Sequence, residues 1–431
     1  MSTIPKRIAF HTLGCKVNYS ETSSISRDII KSGFEQVNYK DLADIYVLNT
    51  CSVTENANKD ARKFVRTVRR KSPNATIAVI GCYAQLKPDE IGEIDGIDIV
   101  LGAEEKFNLI DHLDGFELNK EKKILKSNIK FVSDFKSSYS IGERTRSYLK
   151  VQDGCNYNCS FCTIPLARGK SRSDTISNTI KVAKEIASTE VKEIVLSGIN
   201  IGDYGIGSNE SFYDLIKEMD SLSGIDRIRI SSIEPNLLSN EIIELSSISK
   251  KLMPHFHIPL QSGSDNILKA MRRRYDTNLY ADLIKKIKIK IPDVAIGVDV
   301  MVGFPGETEE DFLSTYNFIK KLEISYLHVF TYSERPNTDA LNLDKIVSME
   351  KRKERSKILH SLSDEKLLNF YDQFIGQKRP VLFESIKNGQ LIGHSDNYIK
   401  IKSNGTPDLI NTIQNVDLLD NDGRYVYGAI A

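Results

Sequence analysis

Apolar and polar positions along the 431-residue chain fall into three stretches of different rhythm. In the first, short β-branched runs end at turns and give way to helix-compatible segments. Arg7-Ile-Ala-Phe-His-Thr-Leu-Gly-Cys15, Asp44-Ile-Tyr-Val-Leu-Asn-Thr-Cys51 and Thr76-Ile-Ala-Val-Ile-Gly-Cys82 share this format, and residues 97–101 repeat it without a cysteine. The cysteine spacings of 36 and 31 residues suit one strand and one helix apiece, which predicts βαβαβ units in an open parallel sheet. Residues 118–147, rich in Lys, Ser and Asn, read as a linker carrying one edge strand. Strand-like runs then recur at 148–152, 193–197, 227–231, 255–258, 296–302 and 326–330, predicting six βα units in a partial barrel with catalytic loops at the strands' carboxyl ends. The acidic run Glu307-Thr-Glu-Glu310 opens a predicted helix over 311–322. After a basic helical stretch at 351–368, short strands at 379–384, 398–402, 409–419 and 424–430 predict a small β-barrel, with turns at Asn388-Gly389, Asn404-Gly405 and Asp422-Gly423.

Charge changes this picture little: 59 Lys+Arg balance 58 Asp+Glu, so any nucleic-acid contact must come from local patches rather than an overall basic coat. The length suits two to four domains. No apolar run approaches the roughly 18 residues of a membrane span, and Met1-Ser-Thr-Ile-Pro-Lys6 lacks a signal-peptide core. The expectation is a cytoplasmic protein with no membrane partner. All six cysteines lie in the first 162 residues, a poor distribution for disulfides and a suggestive one for metal or redox chemistry.

Cys155-Asn-Tyr-Asn-Cys159-Ser-Phe-Cys162 is C-x3-C-x2-C in the turn after a predicted strand. Three thiolates on one loop can hold three irons of a [4Fe-4S] cube and leave the fourth open. A zinc knuckle wants a fourth ligand nearby, whereas no further Cys follows and the next His is His255. Buried structural thiols need no such spacing. Cys15, Cys51 and Cys82 can also converge, because turns at the carboxyl ends of neighbouring parallel strands share one edge. Asn18 and Asn49 flank that edge, as cluster-tuning donors or as ordinary turn asparagines.

The C-x3-C-x2-C loop on the first strand of a six-unit barrel resembles the radical S-adenosylmethionine (SAM) superfamily. With Cys15, Cys51 and Cys82 ahead of it and a β-barrel behind, the chain resembles the methylthiotransferases along essentially its whole length. That resemblance implies an α/β fold: a flavodoxin-like open parallel sheet at 1–120, a linker at 121–140, a radical SAM partial (β/α)6 barrel at 141–372 and a TRAM-like β-barrel at 373–431. It implies two [4Fe-4S] clusters. The one on Cys155, Cys159 and Cys162 binds SAM at its open iron and cleaves it to a 5'-deoxyadenosyl radical, and the one on Cys15, Cys51 and Cys82 carries the sulfur group to be inserted. Leu196-Ser-Gly-Ile-Asn-Ile-Gly-Asp-Tyr-Gly205, His257-Ile-Pro-Leu-Gln-Ser-Gly-Ser264 and Val298-Asp-Val-Met-Val-Gly-Phe-Pro-Gly-Glu307 are similar to family segments lining the SAM and substrate pocket, which nominates Ser197, Gly198, Gln261 and Asp299. The alternative for these four is loop polar residues satisfying nearby backbone.

For the substrate, residues 59–71 hold seven basic residues. At about 100° per residue, Lys59, Arg62, Lys63, Arg66 and Arg70 share one face and Ala61, Phe64, Val65 and Val68 the other, so RNA contact competes with an ordinary solvated helix surface. Arg168, Arg172 and the run Arg272-Arg-Arg274 are further RNA candidates. In the tail, six basic residues meet six acidic ones, so Tyr398 and nearby lysines would act by stacking and single phosphate contacts. The words Thr12-Leu-Gly-Cys-Lys-Val-Asn18, Asn49-Thr-Cys-Ser-Val-Thr54 and Gly81-Cys-Tyr-Ala-Gln85 resemble the branch that acts on N6-threonylcarbamoyladenosine at tRNA position 37. They differ from those of the isopentenyladenosine-tRNA and ribosomal-protein branches. The implied partners are a tRNA anticodon stem-loop, a reductant protein as electron donor and a sulfur source. An RNA-binding protein with structural or redox-sensing clusters is the reading from a different class. An electron-transfer protein fits less well, since such clusters are usually closed by four ligands.

Overall fold

A computed structural model describes residues 5–51, 55–119, 121–141 and 145–431. Ser52, Val53 and Thr54 of the second cysteine word, together with Met1–Ile4, lie outside the described residues, and so do Lys120 and residues 142–144 of the expected linker. The chain forms two compact units, one of residues 1–140, 148–157 and 162–172, the other of 141–147, 158–161 and 173–431.

The first unit contains β1 (Arg7–Thr12), α1 (Lys16–Lys31), β2 (Glu35–Val37), β3 (Ile45–Thr50), α2 (Glu55–Lys71), β4 (Thr76–Gly81), α3 (Cys82–Leu86), α4 (Pro88–Gly92), β5 (Ile99–Leu101), α5 (Leu109–Asn119) and β6 (Lys123–Leu125). The six strands form one parallel sheet in the order β2-β1-β3-β4-β5-β6. Every residue of β3 and β4 is buried, as a strand covered on both faces requires. Side-chain alternation splits the core in two. Tyr46, Leu48, Ile77 and Val79 pack with Ala61, Val65 and Val68 of α2, and Ile45, Val47, Ala78 and Ile80 pack with Ile25 and Ile29 of α1 and Leu109 and Leu113 of α5. The edge strands β2 and β6 have only three residues each. After β6 come the pair β7 (Ser138–Tyr139) and β8 (Arg146–Lys150), then β9 (Gln152–Asp153), α6 (Ile164–Arg168) and β10 (Arg172–Ser173).

The second unit alternates α7 (Ile176–Ala187), β11 (Glu193–Ser197), α8 (Phe212–Asp220), β12 (Arg227–Ile230), α9 (Asn240–Ile248), β13 (His255–His257), α10 (Asp265–Ala270), α11 (Thr277–Lys290), β14 (Ala295–Val302), α12 (Glu309–Lys321) and β15 (Tyr326–Thr331). β11 pairs parallel with β12, single parallel bridges link the β12 end to Leu252 and His257, and β13-β14-β15 continue parallel. Lys192, just ahead of β11, donates its N–H to the carbonyl of Thr145. Helix α12 begins at Glu309, two residues before the predicted start at 311, so Glu309 and Glu310 of the acidic run form its first turn. Thr308 caps it in a capping box with Asp311, and Glu307 stays outside, accepting from the Gly303 N–H and Arg355.

Helix α13 (Met349–Asp372) leads to a closed barrel of β16 (Lys378–Lys387), β17 (Gln390–Ser395), β18 (Lys400–Asn404), β19 (Ile413–Asn421) and β20 (Val426–Ile430), in the order β16-β17-β18-β20-β19. Asn388 and Gly389 both take positive φ in the β16–β17 hairpin, as the two-residue turn requires. The barrel docks on the β-strand arc through Arg379 with Asp293, Arg227 with the carbonyls of Pro380 and His394, and Asn397 with the Asp293 carbonyl. Its core includes Ala295 of β14 and Phe370 and Tyr371 of α13.

Candidate iron-sulfur and nucleic-acid sites

Cys15 caps α1 after β1, Cys51 follows β3, and Cys82 opens α3 after β4. The parallel register sets Thr12 beside Asn49 and Thr50 beside Gly81, so the three turns share one sheet edge. They are in close contact: a Cβ on Gly14 would lie 2.7 Å from the Cys51 Cβ, and one on Gly81 2.3 Å from Asn49 Oδ1. Both glycines also take positive φ near 100°, where a side chain is strained. Cys15 is exposed, Cys51 half-buried and Cys82 buried. Burial pushes the Cys82 thiol up, against the pull of Arg168 and Lys106.

The asparagines of these words act on backbone. Asn18 Nδ2 donates to the Leu13 and Thr50 carbonyls at 3.0 Å each, joining the first turn to the second. Asn49 Nδ2 donates to the Asn18 carbonyl and to Thr22 Oγ1. Asn18 Oδ1 lies 3.9 Å from Cys15 Sγ and accepts from Arg168 Nη2 at 2.6 Å.

That last bond corrects an RNA assignment. Arg168 is 2% exposed and is held by Glu21 and Asp153 at 3.0 Å each. Lys106 and Lys150, also buried, bind the same Glu21 carboxylate at 2.6 and 3.0 Å. Burial alone would raise the Glu21 carboxyl, but Arg168, Lys106 and Lys150 outweigh it and hold the group well below its usual range. Asp153 is held low in the same way. Arg172 is likewise turned inward, bonding the carbonyls of Asp134, Arg168 and Lys170 and the Asp153 carboxylate. Neither arginine presents a free guanidinium to a phosphate. Glu21, Lys106, Lys150 and Asp153 were not singled out in the sequence; a charged residue such as Lys150 inside an otherwise strand-like run was the available signal.

Around the C-x3-C-x2-C loop, the backbone N–H groups of Tyr157 and Ile164 point at Cys155 Sγ (3.3 Å) and Cys162 Sγ (3.5 Å). A Cβ on Gly154 would sit 2.0 Å from the Lys170 carbonyl oxygen, so only glycine lets the loop close there. In the second unit Arg273 Nη1 donates to Cys159 Sγ at 3.1 Å while its other amino group pairs with Glu234. Burial raises the Cys159 thiol and Arg273 opposes that. Arg273, expected as an RNA contact, is thus an internal sulfur donor, and Arg272 pairs with Asp339.

Gln261, at φ 66°, donates its N–H to the Asp299 carbonyl and accepts from the Met301 N–H, which sets it beside Asp299. The Asp299 carboxylate meets His257 Nε2 at 2.7 Å and lies opposite His328 in register. Ser197, buried, and Gly198 stand at the end of β11, separated from β14 by β12 and β13. His328, whose ring is 5.1 Å from that of His257, escaped the sequence reading. Tyr398 is not a free stacking surface: its ring packs on His255, His394 and Arg229 where the barrel docks. Tyr425 and Tyr427 are half-exposed on the barrel, with Lys402 Nζ 3.9 Å from the Tyr425 ring centre and 5.7 Å from that of Tyr427.

On α2 the amphipathic reading holds. Ala61, Val65 and Val68 are buried; Lys59, Lys63, Arg66 and Arg70 are exposed and line one depression together with Arg62 and Thr67. Arg62 is partly occupied by Glu90 at 2.5 Å.

Three thiols at three strand ends, and three more whose sulfurs accept N–H and guanidinium donors, are donor sets suited to iron-sulfur clusters. Residues 149–319 match the radical SAM superfamily, which places the chain in that class of protein, and residues 7–102 match uncharacterized protein family UPF0004. The fold is similar to that of the radical S-adenosylmethionine methyltransferase TsrM from Kitasatospora setae, with a TM-score of 0.58 and 12% identity over 78% of this chain and 77% of that one. Over 97% of its length the chain is 39% identical to threonylcarbamoyladenosine tRNA methylthiotransferase MtaB of Bacillus subtilis, covering 96% of that protein. Identity to the protein of the same name from Aquifex aeolicus is 38% over 93% of this chain and 97% of that one. The chain belongs to the threonylcarbamoyladenosine tRNA methylthiotransferase family.

Proposed function

We propose that this protein replaces the hydrogen at carbon 2 of N6-threonylcarbamoyladenosine, at tRNA position 37, with a methylthio group. The observation that carries the reading is the meeting of Cys15, Cys51 and Cys82 at three adjacent strand ends in a chain that also bears a separate C-x3-C-x2-C loop. Cys155, Cys159 and Cys162 would hold the [4Fe-4S] cluster that binds SAM, and Cys15, Cys51 and Cys82 the one that carries sulfur. When bound, these groups supply the radical and the sulfur that no side chain can.

The chain's own residues do the rest. The N–H groups of Tyr157 and Ile164 and the Arg273 guanidinium stabilise thiolate charge on the loop. Gln261 and Asp299, with Ser197 and Gly198, line the side on which SAM and the nucleoside are received, and the His257 bond holds the Asp299 carboxylate in one orientation. Lys59, Lys63, Arg66 and Arg70 take the phosphates of the anticodon stem-loop, with Arg62 contributing less because Glu90 shares it. The domain division at 120, 140 and 372, a cytoplasmic location, an external reductant protein and an external sulfur source belong to the same reading. Among the described residues no helix is long and apolar enough to cross a membrane.

The test is mass spectrometry of nucleosides from threonylcarbamoylated tRNA incubated anaerobically with reconstituted protein, SAM, a sulfur source and a reductant. A methylthio nucleoside is the expected product. Deoxyadenosine without it moves the substrate to isopentenyladenosine tRNA or a protein. With neither product from cluster-replete protein, RNA binding by a protein with structural clusters takes its place.

A further inference from the structure

Five buried ionisable side chains meet beside the first cysteine trio: Glu21, Lys106, Lys150, Asp153 and Arg168, none more than 6% exposed at the side chain. Three cations face two carboxylates, and Arg172 adds a further cation at the rim. The five buried groups carry a net charge of +1, and +2 with Arg172, an arrangement that is costly unless something anionic completes it. Arg168 also keeps its Nε buried with no hydrogen-bond partner among the described residues, although its two amino groups are fully used. Burial raises the Cys82 thiol, and Arg168 is the foremost charge opposing that rise.

A cube of four irons and four sulfides held by three thiolates is a net anion, and reduction makes it more so. We propose that Arg168 is the built-in countercharge and N–H donor of the cluster held by Cys15, Cys51 and Cys82, and so a positioning residue that sets how readily this cluster accepts an electron. The proposal rests on the two-cluster reading above. Glu21 and Asp153 fix the guanidinium from one side, and Asn18 fixes it from the turn that bears Cys15. Arg168 ends α6, which starts two residues after Cys162, so the same side chain ties the segment that follows Cys162 to the upstream trio within one unit.

The test uses the full chain with Cys155, Cys159 and Cys162 replaced by Ala, so that only the upstream trio can load, and follows reduction by electron paramagnetic resonance at controlled potential. R168K keeps the charge and should titrate close to the parent. R168Q removes it and should be at least tenfold harder to reduce, about 59 mV more negative for one electron. An R168Q midpoint equal to that of the parent overturns the proposal. If R168Q loads no cluster, K106Q, which removes a neighbouring buried cation, must shift the midpoint in the same direction, and an unmoved K106Q midpoint overturns it equally. A parent with no iron-sulfur signal overturns the two-cluster reading together with this one.

Discussion

Glu21 carries the tightest demand at the residue scale, because three buried cations converge on one carboxylate. Glu21→Gln should destabilise the apo protein by about 3–5 kcal/mol, the cost of leaving buried charge uncompensated, read as a shift in denaturation midpoint. The acid limb follows with a definite sign. Glu21 and Asp153 are held below their ordinary values of 4.5 and 3.8, so the stability they contribute is whole above those values and drains away as pH falls through the depressed ones. Unfolding from pH 7 to 3 should show a steep loss below about pH 4.5 in the wild type and a flatter one in the Gln variant. Gly81→Ala adds a Cβ where Asn49 and Thr50 already stand, at positive φ; a loss of at least 1–3 kcal/mol is expected, with poorer iron loading of the upstream trio. The cysteines were legible because their spacing along the chain carries the signal. Arg168 was misread because its partners lie 15 and 147 residues away, beyond the reach of any local charge count.

Helix α2 decides substrate contact at the scale of the element. Its apolar face is buried and its basic face open, as the 3.6-residue period requires. Neutralising Lys63, Arg66 and Arg70 to Gln should weaken tRNA binding and reduce the slope of log affinity against log salt by roughly two to three, whereas Arg62→Gln alone changes it less. Filter binding from low to high salt reads both. Strands buried on two faces announced themselves as continuous apolar runs, so β3, β4, β11 and β14 were legible. Strand β17 was not: Gln390–Ser395 carries Gly393, whose missing side chain is needed because a Cβ would meet the Leu382 carbonyl oxygen at 2.3 Å.

Over the whole molecule, the two cysteine sets should separate by function. Replacing Cys155, Cys159 and Cys162 by Ala should abolish deoxyadenosine formation. Replacing Cys15, Cys51 and Cys82 should spare it and abolish methylthio product; chromatography of both reaction mixtures distinguishes them. Ending the chain at residue 372 should give aggregating protein, since Phe370, Tyr371 and Ala295 lose the barrel core they pack against. The tail's barrel form was visible in its turns. Its docking was not, because Tyr398 gives no sign in sequence that its ring is committed to His255 and Arg229.

The graded exposure of Cys15, Cys51 and Cys82 also has a meaning in time. In the empty protein an alkylating reagent meets the outermost sulfur first and the innermost last, where burial keeps the thiol protonated and inert. If iron loads on this trio as proposed, it would meet the thiols in the same sequence, and Cys82 would give up its proton to bind it. Maturation should therefore quicken as pH rises, and the last bond made, at the bottom of the turn, should be the one most sheltered from oxidants.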